Sequence, residues 1–270
     1  MRSLRTAAVT VGAAAILAAS TGCQAMNDIA TSIDIPSQAP VSTQTDPVAE
    51  PDNAAVTTSA DVADALTLLG QLPVKGRAPK TGYSRAQFGK AWTDDNGTVW
   101  GGDKLSTREN VLSRDLTNIV CKTRSKQTNP PCVVQSGTLV DPYTGDTVQF
   151  KRGNRTSELI PVDHVVSLGD SWQKGAQQIT AAQRIDLAND PLNLIATQRN
   201  PNSAKSDSDA ASWLVPRKSW RCKYVARQIA VKGKYRLWVT KAEKDAMIRV
   251  LQACPGQPLP TEYEAQQRTA

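Results

Sequence analysis

His164 is the only histidine in the chain, and Asp163 stands directly before it in the run Leu159-Ile160-Pro161-Val162-Asp163-His164-Val165-Val166. Imidazole is the one side chain whose unperturbed pKa, about 6.5, suits proton transfer near neutrality. Any acid–base chemistry done through an imidazole here belongs to His164. Successive residues of a strand point to opposite faces, so both reach one place only at a local bend such as a strand end. A single Asp-His pair is more often a hydrogen-bonded structural histidine than a catalyst. Downstream residues change that balance. Asn193 lies in a second apolar run, Leu192-Asn193-Leu194-Ile195-Ala196-Thr197, and Asn202 and Lys205 follow in a polar stretch.

The elements that must position these residues read as a mixed α+β domain. An Ala/Leu-rich helix is predicted at 60–69, a short helix or turn at 84–92, and a helix at 107–116 leading into Ile119-Val120-Cys121. Strands 133–140 and 147–150, joined by the turn Asp141-Pro142-Tyr143-Thr144-Gly145, form a hairpin. Strand 159–166 carries Asp163 and His164, helical stretches follow at 168–176 and 180–188, and strand 192–197 carries Asn193 in its middle. A polar helix opens at Asn200-Pro201-Asn202-Ser203-Ala204-Lys205 and runs on to contain Trp213. Two helices close the domain, at 219–231 and 241–253, the latter opening on the capping box Thr240-Lys241-Ala242-Glu243.

Composition sets the compartment. Arg2 and Arg5 precede an apolar stretch at 7–19 that is too short to span a bilayer, so residues 1–23 read as an export signal. Its end, Ala19-Ser20-Thr21-Gly22-Cys23, resembles a lipobox, which makes Cys23 the expected lipidation site and the lipid the only membrane contact. Ordinary signal-peptidase cleavage is the alternative. Residues 24–59 are rich in Ala, Pro, Thr, Ser, Asp and Gln, carry no Lys or Arg, and read as a disordered tether. Residues 60–256 form one domain, and 257–270 a polar tail. The chain has a net charge of +7, but residues 75–256 alone hold 29 Lys and Arg against 16 Asp and Glu. That excess favours anionic partners, nucleic acid among them.

Apart from Cys23, four cysteines remain, an even count that suggests disulfides in an exported chain. Of the possible pairings we take Cys121–Cys132, closing a short Pro-containing loop, and Cys222–Cys254, joining two helices. A zinc site is the rival reading, but there is no Cys-x-x-Cys and the one histidine is distant. The tryptophans, scattered singly, read mostly as core or groove-lining residues.

Strand with Asp-His, strand with Asn, helix with Asn: this order resembles the HNH endonuclease family, whose fold is a ββα-metal (His-Me finger) core. The likeness extends to Gly82-Tyr83-Ser84-Arg85, Phe88-Gly89, Ala91-Trp92, Thr107-Arg108, Asp141-Pro142-Tyr143-Thr144-Gly145, Ala188-Asn189-Asp190-Pro191-Leu192-Asn193-Leu194, Ser212-Trp213-Leu214, Arg221-Cys222, Val231-Lys232 and Leu237-Trp238-Val239-Thr240. These runs are similar to exported HNH nucleases related to the C-terminal nuclease domain of GmrSD-type restriction enzymes. Leu105-Ser106 departs from that pattern where a cysteine is usual, so a third disulfide is not expected there.

The resemblance implies a disulfide-stapled ββα-metal core with added helices and a hairpin. It implies His164 as general base, Asp163 and Asn202 as ligands to one divalent ion, Asn193 as the residue pinning the histidine loop, and Lys205 as a phosphate contact. Asn200 competes with Asn202, but Asn202-Ser203-Ala204-Lys205 fits the Asn-x-x-Lys pattern. Hard oxygen donors suit Mg²⁺ first, then Mn²⁺ or Ca²⁺. The implied activity is phosphodiester hydrolysis of DNA, with RNA as the other substrate, little sequence specificity and no obligate protein partner. The alternative is a non-catalytic surface lipoprotein that holds extracellular DNA or another anionic polymer.

Overall fold

Asp64 starts the first helix: its carboxylate accepts a hydrogen bond from Leu66 N at 2.6 Å and caps α1 (Ala65–Gln71). The computed structural model describes residues 64–123 and 129–268. The expected export signal at 1–23, the lipidation site Cys23 and the tether at 24–59 lie outside the described residues, as does the front of the helix expected at 60–69.

After a 3-10 turn at Arg85–Phe88, α2 (Thr107–Asp115) leads into β1 (Thr117–Cys121), β2 (Val134–Val140) and β3 (Thr147–Lys151). The predicted hairpin is β2–β3, paired from Ser136↔Lys151 to Val140↔Thr147. The run Ile119-Val120-Cys121 adds β1 to its other edge, giving an antiparallel sheet in the order β1-β2-β3. Cys121 and Cys132 are bonded at the end of this sheet.

The strand expected at 159–166 is shorter than its apolar pattern. A 3-10 turn occupies Ser157–Leu159, Pro161 has no N–H to offer a ladder, and only β4 (Val162–His164) pairs. Then come α3 (Leu168–Ser171), capped by Ser167, and a π turn at Trp172–Ala176. Gly175 breaks the helix there with φ 124°, and a Cβ on it would lie 3.2 Å from the Trp238 ring. The remaining elements are α4 (Ala181–Asn189), β5 (Leu194–Ala196), α5 (Arg199–Lys205), a 3-10 turn at Lys218–Trp220, α6 (Arg221–Lys234), α7 (Lys241–Leu251) and α8 (Glu262–Gln266). The capping box at Thr240 and Glu243 forms as expected, and Thr180 with Gln183 builds a second.

Two predicted boundaries are corrected. The polar helix ends at Lys205, where Ser206 takes φ 49°, so Trp213 lies outside it and packs instead with Tyr143 and Tyr224. The C-terminal stretch is not a bare tail. Arg114 donates to Ala265 O at 2.7 Å, Lys234 pairs with Glu262, and Ala265 is buried.

Tyr143, Trp220, Tyr224, Val239 and Met247 pack among α1, α6 and α7, while Val111, Leu112, Phe150, Val162 and Leu194 join α2 and the sheet to β4 and β5. A fully buried side chain of this size contributes roughly 1.5–3 kcal/mol. Beneath α3 lies a closed ionic network. Lys174 Nζ, with no exposure, is 2.7 Å from carboxylate oxygens of Asp170, Asp209 and Glu243. Lys232 reaches Asp170 and Glu243, and Arg77 reaches Asp170 and Asp209. Three cations thus meet three carboxylates.

Cys222 and Cys254 are bonded across 32 residues and tie α6 to the end of α7. Closing such a loop restricts the unfolded chain, so the Cys222→Ser/Cys254→Ser variant is expected to lose about 3 kcal/mol of stability, read from urea unfolding midpoints.

Candidate active site

β4 and β5 run antiparallel, with Val162↔Ala196, Asp163↔Ile195 and His164↔Leu194 as partners, and α5 follows directly. The turn before β5 is set by buried charge. Arg227 donates to Leu192 O and Pro191 O at 2.6 and 2.7 Å, and Arg114 donates to Pro191 O and Leu194 O. Burial, with Arg114 nearby, lowers the Arg227 pKa to about 10. Asp190 accepts from Leu192 N and from the Tyr235 hydroxyl.

Asn193 sits just before β5 rather than in mid-strand, fully buried. Its Oδ1 accepts from Val166 N at 2.8 Å, its Nδ2 donates to Val166 O and Leu187 O, and its carbonyl accepts from Val165 N. A buried carboxamide with all these bonds made holds the residues that follow His164 in one conformation.

His164 Nε2 lies 3.0 Å from Ala188 O. A carbonyl only accepts, so Nε2 carries the hydrogen and the neutral ring keeps a lone pair on Nδ1. Burial lowers the His164 pKa to about 3; the Ala188 carbonyl opposes this, while the positive charges of Arg85 and Lys205 add to it. The ring is therefore neutral at physiological pH. Trp92 stacks on it, with centroids 5.4 Å apart and planes 9° from parallel. Trp92 itself holds φ 57°, a left-handed conformation that a bulky residue adopts at a cost of about 1–3 kcal/mol.

Asp163 is buried with both oxygens engaged: Lys205 Nζ donates to Oδ1 at 3.0 Å and the Tyr143 hydroxyl donates to Oδ2 at 2.6 Å. Burial raises its pKa, against the pull of Lys205 and Tyr143. Burial likewise raises the Tyr143 pKa, with the Asp163 charge adding to it. The His164 backbone N–H adds a third hydrogen bond to this carboxylate.

Lys205 corrects an expectation. Its ammonium has no exposure and also donates to His164 O at 2.7 Å, so it faces inward and orients Asp163. It is the last residue of the seven-residue α5, and its ammonium reaches β4 through Asp163 and the His164 carbonyl.

The hairpin turn supplies the other hold on Asp163. Asp141, fully buried, accepts from Tyr143 N, from the Thr197 hydroxyl and from Gln198 N, locking the turn to the start of α5. Tyr143→Phe keeps the ring packing but removes the bond to a buried carboxylate. It is expected to destabilise by about 1.5–3 kcal/mol, read by thermal unfolding.

A polar cleft of about 360 Å³ is lined by Asp163, His164, Asn202, Ser167, Arg85 and Asp207 among others. Asn202, expected near the helix start, lies in mid-α5; Gln198 is the N-cap. Its carboxamide makes no side-chain hydrogen bond among the described residues and is half-buried at the cleft. Asp163 and Asn202 thus offer hard oxygen donors in one cleft beside His164, a set that fits a divalent ion keeping most of its waters. Among the described residues no cluster of three or more His, Cys, Asp or Glu could hold a metal. Asp207 is already paired with Lys80 at 2.8 Å.

Three contributors escaped the sequence reading: Tyr143, Trp92 and the exposed Arg85. Each lies in a run that the family resemblance had flagged, and that was the only signal they gave.

These features define an α+β domain, closed by two disulfides, with a polar cleft around a strand-borne Asp-His pair. Residues 106–250 match the family described as GmrSD restriction endonucleases, C-terminal domain, and the chain belongs to that family. It is also 38% identical over 192 residues to an uncharacterized secreted protein of Arthroderma benhamiae, covering 70% of this chain and 84% of that one. No solved structure matches.

Proposed function

We propose that the protein is an exported, metal-dependent endonuclease of the ββα-metal (HNH) type that hydrolyses phosphodiester bonds of DNA with little sequence preference. One observation carries this reading: Nε2 of His164 is tied to the Ala188 carbonyl, so Nδ1 is the ring nitrogen left with a free lone pair, and His164 lines one cleft together with Asp163 and Asn202. The chain order β4, β5, α5, with the two strands antiparallel, supports that reading.

In this reading Nδ1 takes a proton from water, and the resulting hydroxide attacks phosphorus as the bond to the leaving sugar oxygen breaks. Asp163 and Asn202 would hold the divalent cation, Mg²⁺ first and Mn²⁺ or Ca²⁺ as alternatives. When bound it supplies positive charge for a phosphate oxygen and the leaving oxygen. Lys205 and Tyr143 keep the Asp163 carboxylate oriented, and Asn193 and Trp92 keep the imidazole in place. Arg85, exposed at the cleft, takes the phosphate-contact role first assigned to Lys205.

Export follows from residues 1–23, with Cys23 as lipid anchor and 24–59 as tether. The relative named as secreted agrees with export, and no helix among the described residues is long and apolar enough to cross a membrane. RNA is the second substrate class, and no protein partner is required.

Nicking of supercoiled plasmid in Mg²⁺ or Mn²⁺, with and without EDTA, tests the proposal. Metal-dependent conversion to open circles is the expected result; intact plasmid under every metal refutes the activity, and salt-sensitive retention without cutting would favour a DNA-binding lipoprotein.

A further inference from the structure

A second cavity, of about 190 Å³, adjoins the polar cleft at His164. Arg85, His164 and Leu168 line both. The two chambers differ in character. The cleft is lined by Asp163, Asn202, Ser167 and Ser206, whereas the second cavity is walled by Phe88, Trp92, Leu168 and the methyls of Ala86, Ala91 and Ala188. Its remaining charged lining residues, Arg85 and Lys90, are exposed cations, and no carboxylate lines it.

The shape has a local cause. The 3-10 turn at Arg85–Phe88 ends at Gly89, whose φ of 77° lets the chain swing against α4; a Cβ there would lie 2.8 Å from Ile185. The swing brings Ala91 and Trp92 back beside His164. Trp92 is held in its left-handed conformation with its carbonyl accepting from Thr107 N at 3.3 Å and its ring against the imidazole. A strained backbone persists only where its surroundings over-determine it, and such residues gather at functional sites.

We propose that this cavity is a nucleobase subsite, receiving one base of the strand whose phosphodiester lies in the polar cleft. The inference deepens the endonuclease reading and rests on it for the placement of that phosphodiester. A flat, neutral base whose faces are apolar, joined through its sugar to anionic phosphates, fits aromatic and methyl walls rimmed by two cations. Stacking on an aromatic wall accepts any base, which suits a site without sequence preference. A base paired within a duplex must leave its stack to enter, at an expense of a few kcal/mol. Single-stranded or frayed nucleic acid is therefore the preferred substrate class, and duplex the poorer one.

The test separates the subsite from catalysis by measuring binding in EDTA. Fluorescence anisotropy gives Kd for a labelled single-stranded oligothymidylate and for an abasic strand of equal length. Both are measured with the wild-type chain and with Ala91→Leu, which puts a larger side chain into the cavity from an exposed position. Stacking of one base by about 1–3 kcal/mol corresponds to roughly 5- to 150-fold, so the wild type is expected to bind the base-bearing strand about 10-fold or more tightly than the abasic one. In Ala91→Leu that ratio is expected to fall to within about twofold of unity. Equal Kd values for the two strands with the wild type overturn the proposal, as does an Ala91→Leu variant that keeps the full ratio. Base discrimination in a protein that cuts neither plasmid nor single-stranded DNA in Mg²⁺ or Mn²⁺ would uphold the subsite while sinking the nuclease reading.

Discussion

His164→Ala is expected to lower plasmid nicking by roughly 10²–10⁴-fold, because no other imidazole exists to take the proton from water. The comparison needs a folded variant, since the ring is buried and stacked on Trp92. His164→Gln fills more of the same space and should show the same loss with a thermal midpoint closer to wild type. A second consequence concerns acid. Protonation at Nδ1 removes the acceptor, so activity falls as pH drops through the folded-state pKa. Burial lowers that value to about 3 and raises that of Asp163, which therefore loses its charge first, so the acid limb is expected to follow Asp163 and to lie below the ordinary histidine value of about 6.5. A limb centred at the ordinary value would show that the imidazole is not desolvated as described.

The largest stability effect is expected at Lys174. Its ammonium is the shared partner of Asp170, Asp209 and Glu243, and it has no exposure. Lys174→Met keeps the length of the side chain but leaves three carboxylates facing only Lys232 and the partly exposed Arg77. Removing one partner of a buried ionic group typically destabilises by about 3–5 kcal/mol. Chemical denaturation should show that loss, and a variant within about 0.5 kcal/mol of wild type would mean that the network relaxes or hydrates. The same network sets acid sensitivity. Burial raises the Asp170 and Asp209 pKa values, but the lysines overcome it and hold both below the ordinary carboxylate value. A depressed carboxylate contributes stability above its unfolded pKa and loses it as pH falls through the folded one, so the stability gap between wild type and Lys174→Met should narrow as pH falls.

The order of the candidate site along the chain was legible because its members are chemically rare or locally patterned. A solitary histidine, an aspartate before it and two asparagines at the spacing of two strands and a helix needed no tertiary information. What side chains face did not follow. Lys205 looks like a solvated helix lysine in sequence, and only the tertiary fold turns it inward onto Asp163. Lys174 and Lys232 likewise sit in ordinary-looking helical stretches, and their carboxylates come from positions up to 69 residues away. Apolar content overstated the strand at 159–166, since Pro161 and the Asn193 clamp, not a ladder, hold its ends. The tail after 256 appeared polar because α8 buries little more than Ala265 against α2 and α6. Tyr143 and Arg85 act through contacts across the fold, which no local pattern encodes.

In the proposed mechanism Asp163 and Asn202 share one cation beside a neutral imidazole. Mn²⁺ binding followed by electron paramagnetic resonance tests this in wild type, Asn202→Ala and His164→Ala. Asn202 makes no side-chain hydrogen bond among the described residues, so its removal should leave the fold intact. One bound Mn²⁺ per chain is predicted in wild type and in His164→Ala, and its loss in Asn202→Ala. Equal binding by wild type and Asn202→Ala, or no binding by wild type, would contradict the mechanism.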